Sequence, residues 1–363
     1  MFACVGDSPS NGTDAGVFDA APDGACPTAT SCDSKNCGKV GHDCLGGACV
    51  AGVCRPVEIA TGQINPAVIR VDGDTIYWIT LGTLTNGNCS ATTDGTVMRA
   101  KVDGSQATAI ATGQKCPSDL MLSGTDVYWT VQGNGNFADG AVMRAPKTGT
   151  GGTALYSNII QAVRIATDGT TLYVSAANNG GADDIFRAPL AGGGPLVKMA
   201  SGMPNVSALQ VQGQRIVWGT TNPGSLRTAS LTYALDAGAD ATGAPTLLNG
   251  DAGYPLTFTQ TTGGVVYLAD RDLGLVRKVD PGSLDPATVA SGQGAPYGVA
   301  VDDTFVYWWS SSGGILWRGA LDGVGTPVTV ASSAGGFGNL AIDATAIYLS
   351  NIATGKIFRI AKP

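Results

Sequence analysis

The segment VAVDDTFVYWWS at residues 299–310 indicates the fold of the chain, because six further variants of it occur in the sequence. Each copy joins an apolar run to an aromatic, β-branched run through a short turn. The other copies are IRVDGDTIYWIT (69–80), LMLSGTDVYWTV (120–131), IATDGTTLYVSA (165–176), LQVQGQRIVWGT (209–220), TQTTGGVVYLAD (259–270) and LAIDATAIYLSN (340–351). Successive copies lie 51, 45, 44, 50, 40 and 41 residues apart when aligned on the column of Tyr77. A strand-rich repeat of this period is typical of a β-propeller blade.

Four strands are predicted in each repeat, and the clearest set is 296–301, 305–310, 315–321 and 326–331. The last repeat stops after its third strand at Pro363, whereas residues 57–61 resemble a fourth strand with no blade before them. These two fragments complete each other and would bury the open sheet edges. The sequence therefore predicts an all-β fold, a seven-bladed β-propeller of four-stranded blades closed by an N-terminal outer strand. Glu58 is then expected to be a structural edge residue.

Composition restricts the classes of function. The chain of 363 residues is 44% apolar and 13% charged, and its net charge is −7. An acidic balance argues against a nucleic-acid partner, whose phosphates require a basic surface. His42 and Glu58 are the single His and the single Glu, and His42 lies outside the repeats. Seven-bladed lyases that open cyclic antibiotics rely on His and Glu at the channel, so that chemistry is disfavoured.

The sequence predicts three segments in the chain: a flexible tether (1–25), a disulfide-rich mini-module (26–55) and the propeller (56–363). Six closely spaced cysteines indicate three disulfides formed in an oxidising compartment, with the pairing left open: Cys26, Cys32, Cys37, Cys44, Cys49 and Cys54. A zinc site built from the last four and His42 is the alternative, which the absence of CxxC pairs disfavours. His42 is accordingly expected to face solvent.

Cys89 and Cys116 are predicted to form a further disulfide. Cys89 lies between the second and third strands of the first repeat, and Cys116 lies between the first and second repeats. Both kinds of connection reach the same face of a propeller, so the two thiols can meet at one rim. The alternative is a pair of free thiols, which exported proteins seldom keep.

Cys4 is the ninth, unpaired cysteine. The start Met1-Phe2-Ala3-Cys4 resembles the end of a bacterial lipobox, and residues 5–25 are rich in Asp, Gly, Ser, Ala and Pro. We expect a lipid anchor on Cys4 and a surface lipoprotein, held at the outer membrane of a Gram-negative bacterium or released to the periplasm or outside. A free or intermolecular thiol is the alternative.

The third strands share an arginine column. It consists of Arg99, Arg144, Arg187, Arg277, Arg318 and Arg359. A ring that binds anions is one interpretation. Third strands lie away from the channel, however, so we predict that these arginines pair with turn aspartates of neighbouring blades.

The phrases IYWIT (76–80), VYWT (127–130) and VYWWS (306–310) resemble the YWTD propeller family and bacterial propeller lipoproteins with DGxxxYW repeats. The leader GHDCLGGACVAGVC (41–54) is similar to leaders on secreted proteins of predatory soil bacteria. The resemblance implies a propeller exposed at the cell surface. YWTD propellers have six blades, and no copy here spells the complete phrase.

Ligands of propellers bind on the face with the inter-blade connections. The candidate binding residues there are Asn65, Asp119, Asn205, Tyr254, Tyr297, Phe337 and Asn339. Adjacent aromatic rings suit a protein, peptide or glycan ligand, although such rings also plug channels. We expect a monomeric, non-enzymatic binding or scaffolding protein without a cofactor. The alternative is a hydrolase or lyase using Asp and Tyr, with calcium at Asp119, Asp183 and Asp184.

Overall fold

A computed structural model describes residues 18–19, 33–85, 89, 92–134, 138–178, 180–221, 224–231, 246–249, 255–261, 263–283, 285–333 and 339–363. Across these residues the chain is all-β and forms seven antiparallel sheets of four blade strands each; a short fifth strand is added to one of them, and a separate two-stranded hairpin lies near the N-terminus. The seven-bladed propeller predicted from the repeats is therefore confirmed. The described part of the chain contains no helix that could cross a membrane.

Blades are numbered in chain order, and their strands are numbered from the channel outward. Blade 1 consists of Pro66–Asp72, Thr75–Thr80, Gly95–Lys101 and Thr108–Gln114. Blade 2 consists of Pro117–Ser123, Asp126–Val131, Gly140–Pro146 and Thr153–Ile159. Blade 3 consists of Ala162–Thr167, Thr171–Ala177, Asp183–Pro189 and Val197–Met203. Blades 4 and 5 consist of Val206–Gln212, Arg215–Thr220, Ser225–Ser230 and Thr246–Asn249; and of Pro255–Gln260, Val266–Asp270, Leu275–Val279 and Ala287–Ala290. Blades 6 and 7 consist of Pro296–Val301, Phe305–Ser310, Ile315–Ala320 and Val328–Ser333; and of Leu340–Ile342, Ala346–Asn351, Lys356–Ala361 and Val57–Ala60.

Second strands supply the core between blades. Their side chains are almost continuously buried, which is why these runs are the most apolar and aromatic part of each repeat. Trp78, Trp129, Trp218 and Trp308 are fully buried there. The first strand of each blade lies beside that of the next, and the first strand of blade 7 lies beside that of blade 1. The ring of blades is thus closed around a central channel.

The closing strand forms as the sequence predicted. Val57–Ala60 pairs antiparallel with Lys356–Ala361, the third strand of blade 7. Glu58 forms an ion pair of 2.6 Å with Lys356, which places its carboxylate on the outer edge of the blade. The expectation that Glu58 is a structural edge residue agrees with this position.

The propeller has two faces, which differ in the connections that they carry. The loop face carries the connections between blades and those between second and third strands; the turn face carries the other turns. Cys89 and Cys116 are bonded to each other on the loop face, so this predicted disulfide is confirmed.

Residues 33–54, called here the cysteine module, pack on the turn face beside the end of blade 7. Disulfides join Cys37 to Cys49 and Cys44 to Cys54 around the short hairpin of Cys49–Val50 and Val53–Cys54. These four thiols are therefore covalently paired and form no zinc site. Cys4, Cys26 and Cys32 lie outside the described residues. Phe18–Asp19 pairs with the outer strand of blade 6.

His42 corrects one expectation, because it does not face solvent. Its Nδ1 lies 2.7 Å from the Cys37 carbonyl oxygen and its Nε2 lies 2.8 Å from that of Lys362. The ring is half-buried and bridges the cysteine module to the end of blade 7. Arg359 strengthens this junction by donating to the carbonyls of Leu45 and Val102.

The arginine column is a second correction. These side chains do join blades, but mostly through backbone carbonyls and not through turn aspartates. Arg99 donates to the Lys147 carbonyl of blade 2, and Arg187 donates to the Leu231 carbonyl of blade 4. Arg144 does pair with a carboxylate, that of Asp126, but within its own blade. The accepting carbonyl lies at the end of the third strand of the following blade, in a fixed position relative to the arginine. This fixed register explains why the arginines bind backbone carbonyls more often than aspartates.

Candidate ligand channel

First strands line the central channel, which contains a cavity of about 350 Å³. Blades 1 to 5 and Asn339 of blade 7 contribute to its wall, and its polar lining residues include Arg70, Asp119, Arg164, Ser207, Gln210 and Asn339. A second cavity of about 510 Å³ shares several of these residues and continues along blades 5, 6 and 7. The space is therefore one channel with a changing wall.

A β-bulge near the start of the first strand shapes this wall. The pairing register shifts between Pro66 and Ile69 in blade 1, and between Ala162 and Arg164 in blade 3, with similar shifts in other blades. Bulges re-aim the side chains that follow them. Arg164 comes directly after the bulge in the first strand of blade 3. Its side chain therefore reaches the cavity, whereas the other face of this strand is packed against the protein.

Side-chain hydroxyl groups join three of the first strands to the blade that precedes each of them in the ring. Thr130 of blade 2 donates to the Val163 carbonyl of blade 3 at 3.0 Å, and Thr257 of blade 5 donates to the Tyr297 carbonyl of blade 6 at 2.7 Å. Ser350 of blade 7 donates to the carbonyl of Ala67 in blade 1. The channel wall is therefore held rigidly on several sides.

Arg70 is the first of two guanidinium groups at the cavity. It donates to the Ile69 carbonyl at 2.9 Å and to the Asp119 carboxylate at 3.4 Å. Burial lowers its pKa, while Asp119 raises it and Arg164 lowers it further. The side chain remains 36% exposed to the channel, and an arginine keeps its proton under such conditions. Arg70 thus presents a positive charge to the cavity.

Arg164 is the second group. Its Nε is buried and has no hydrogen-bond partner among the described residues. Burial raises the pKa of the nearby Asp183, and the positive charge of Arg164 partly opposes this effect. Asp183 itself accepts the Val206 N–H, so it is anchored to the backbone of blade 4. A buried N–H group without an acceptor is costly, which makes Arg164 a candidate ligand-binding residue.

Asp119 and Asn339 are the predicted site residues that the structure brings together at the cavity. The Asp119 carboxylate accepts the N–H groups of Leu120 at 2.8 Å and Ile165 at 3.2 Å, besides the Arg70 bond. It therefore holds Arg70 and the blade 3 strand in position and has little capacity left for a ligand.

The remaining predicted residues divide into two groups. Asn65 and Asn205 have φ values of 54° and 40° at the turns that enter blades 1 and 4, a conformation that Asn tolerates well. Tyr297 is half-buried on the first strand of blade 6. Tyr254 and Phe337 lie outside the described residues. The predicted binding roles of these five stay predictions.

The calcium candidates do not meet within the described chain. Asp184 forms an ion pair of 2.5 Å with Lys198 and accepts the amide of Asn178 at 3.0 Å. Asp119 and Asp183 each accept backbone N–H groups. Among the described residues, the one cluster with metal-ligand spacing is Cys37, Cys44 and Cys49, which are disulfide-bonded.

Sequence reasoning missed both arginines, although a signal was present. Arg70 occupies a column that is uncharged in the other six repeats, and Arg164 immediately precedes the third copy. A charge confined to one copy of an inward-facing column, as at Arg70, indicates a local function, because the repeat itself does not need it.

Comparison with solved structures supports the architecture alone. The chain is similar to a streptogramin B lyase (TM-score 0.63, 11% identity, 84% of this chain and 96% of that one). It is also similar to virginiamycin B lyase from Staphylococcus aureus (0.62, 10%, 85% and 99%) and to the WD40 β-propeller domain of Doa1 (0.59, 11%, 85% and 97%). No protein-family model and no curated protein sequence matches the chain. Identities this low show a shared fold and no shared activity.

Proposed function

We propose that this protein is a non-enzymatic binding protein that takes its ligand into the central channel from the loop face. The observation that carries the proposal is the channel itself, a polar cavity of about 350 Å³ lined by Arg70 and by Arg164, whose buried Nε has no acceptor among the residues that the structure describes. Pre-formed clefts with a few converging polar groups are the usual sites for ligands. The single His and the single Glu are both engaged far from this cavity, at Lys362 and Lys356.

Export and tethering are part of the proposal. Three disulfides in the described chain support folding in an oxidising compartment. The cysteine module packs on the turn face, so a lipid anchor at Cys4 would hold the propeller from that side. The loop face would then point away from the membrane. Mass spectrometry of the native N-terminus tests the anchor, and an unmodified Cys4 would refute it.

Glycan and peptide arrays test the binding function. We expect Tyr254→Ala and Tyr297→Ala to weaken binding of an array ligand at least tenfold without lowering the melting temperature. Val324→Ala is the matched control, because Val324 is 74% exposed on the turn face. Equal effects of the control and the tyrosine variants would contradict a site on the loop face.

The alternative of an Asp- or Tyr-based hydrolase or lyase rests on a fold shared with lyases and on no feature of the channel. It makes a different prediction for the same arrays. A bound ligand recovered after incubation would be chemically changed. Recovery of an intact ligand supports binding, and recovery of a cleaved one would replace the proposal with the alternative.

A further inference from the structure

The charges around the channel indicate what kind of ligand it takes. Arg70 and Arg164 together offer ten N–H donors. Arg70 uses two bonds, and the buried Nε of Arg164 has no hydrogen-bond partner within the described residues. The carboxylates nearby, Asp119 and Asp183, are already bonded to backbone N–H groups. Donor capacity at this wall exceeds acceptor capacity, which favours an anion.

Apolar side chains lie on the part of the channel wall that faces the two arginines. Phe258 of blade 5 borders both cavities, and Val301 of blade 6 lines the second cavity beside the hydroxyl side chains of Thr259 and Thr261. Blades 5 and 6 face blades 1 to 3 across a seven-fold ring. A ligand that spans the channel therefore meets cations at one end and apolar side chains at the other.

This inference rests on the proposed function and deepens it: we propose that the channel binds a carboxylate attached to an apolar body. A guanidinium pair suits a carboxylate, which accepts paired N–H bonds in one plane. An inorganic anion would make no use of Phe258 and Val301, and a neutral ligand would leave the guanidinium donors unpaired. The chain as a whole has a net charge of −7, so the cationic wall is a local exception.

Binding of matched small molecules tests the ligand class. The full-length protein is titrated with 3-phenylpropanoate, 3-phenylpropanol and inorganic phosphate, and Kd is measured by ligand-observed NMR. We expect the acid to bind at least tenfold more tightly than the alcohol or phosphate. Arg164→Gln should remove the preference for the acid, and Phe258→Ala should weaken the acid and the alcohol alike. Arg271→Gln, on an exposed loop of blade 5, is the charge-matched control and should change nothing.

A second arm distinguishes two sources of the same chemistry. The peptide Gly-Gly-Phe ends in a carboxylate beside an apolar ring, whereas its C-terminal amide lacks the charge. Tighter binding of the free peptide than of 3-phenylpropanoate identifies a peptide C-terminus as the source; the reverse identifies a small organic acid. Both results support the carboxylate site.

Other outcomes overturn the inference. Equal binding of acid and alcohol, or loss of acid binding in Arg271→Gln alone, would show that the arginine pair does not select a carboxylate. If all these acids fail to bind while an array ligand sensitive to Tyr297→Ala exists, the ligand class is wrong and the binding function stands. Absence of any ligand sensitive to Tyr297→Ala would refute the proposed function itself. Thermal unfolding of each variant excludes misfolding as the cause.

Discussion

At the scale of single residues, a repeated side-chain bond joins neighbouring blades. The buried indole Nε1 of Trp78, Trp129 and Trp308 each donates to a glutamine fifteen residues earlier, at 2.8–3.0 Å. Those glutamines lie at or just after the end of the outer strand of the preceding blade: Gln63, Gln114 and Gln293. A buried indole N–H requires such an acceptor, and this explains the recurring TGQ and SGQ phrases.

Blade 4 lacks this bond. Trp218 is as deeply buried as its counterparts, but the residue fifteen positions earlier is Met203, and no hydrogen-bond partner of Trp218 Nε1 is found among the described residues. The sequence phrase SGM therefore marks a weakened junction between blades 3 and 4.

Met203→Gln is expected to repair this junction. The amide oxygen would lie where Gln114 lies for Trp129, and the new bond should raise the free energy of unfolding by about 1 kcal/mol. Urea denaturation measures the change. The reverse variant Gln114→Met is the control, and it should lower stability by about 1–2 kcal/mol because it leaves the Trp129 N–H buried and unpaired. No change, or a loss, in Met203→Gln would show that the methionine packing outweighs the bond.

Asp168 gives a prediction for acid stability. Burial raises its pKa, but N–H and hydroxyl donors from Thr171, Thr170 and Tyr173 outweigh burial and lower the pKa from 3.8 to about 2. A depressed pKa stabilises the fold above the unfolded value, and this contribution is lost as pH falls from about 4 to about 2. Because the carboxylate is exposed, we expect Asp168→Asn to cost only about 1 kcal/mol at pH 7.

The difference in the free energy of unfolding between the wild type and Asp168→Asn should therefore depend on pH. Urea unfolding between pH 2 and pH 7 should show a difference that shrinks to zero toward pH 2. Val324→Ala, which changes an exposed side chain that carries no charge, is the control and should show no such dependence. A difference that persists unchanged at pH 2 would mean that the side-chain amide, and not the charge, is responsible.

At the scale of elements, the sequence predicted what the repeats share. The four strands of each blade, the closing role of 57–61 and the Cys89–Cys116 bond all follow from the order of strands in a propeller. The hydrogen-bond partners of the third-strand arginines could not be predicted, because every residue has a backbone carbonyl and no sequence pattern marks the one that accepts the bond. Arg99 and a lysine carbonyl meet only through the register between two blades.

The channel was predictable only in outline for a similar reason. Asp119 and Asn339 were placed at its mouth because they enter first strands, and both line the cavity. Arg164 depends on a bulge of one residue, which changes the direction of its side chain without an obvious sequence mark. His42 bonds to Lys362, a residue 320 positions away, so no local pattern could reveal it.

At the scale of the whole molecule, closure of the ring connects distant parts of the chain. The closing strand Val57–Ala60 covers the edge of blade 7, and Ile59 is buried against Ile69 and Trp78 of blade 1 as well as Tyr348 of blade 7. Gln63 then bonds to Trp78, so the junction between blades 7 and 1 is of the same type as the one between blades 1 and 2. The N-terminal segment is thus an integral part of the propeller.

Two deletions separate the cysteine module from the closing strand. Removing residues 1–56 should leave a folded propeller, since Val57–Ala60 and Gln63 remain. Removing residues 1–63 exposes the third strand of blade 7 and leaves Trp78 Nε1 unpaired, so we expect a further loss of at least about 3 kcal/mol and a tendency to aggregate. Urea unfolding and sedimentation velocity measure these two effects.

Restoring the strand at the other end of the chain is the control for this prediction. When residues 57–63 follow Pro363 through a turn copied from residues 321–327 of blade 6, the strand can pair with Lys356–Ala361 in the same antiparallel register. This permuted chain should regain the stability of the 1–56 deletion, because it restores the burial of Ile59 and the Gln63 bond. Equal stability of the two deletions would contradict a closing role, since the ring would then hold without its fourth strand in blade 7.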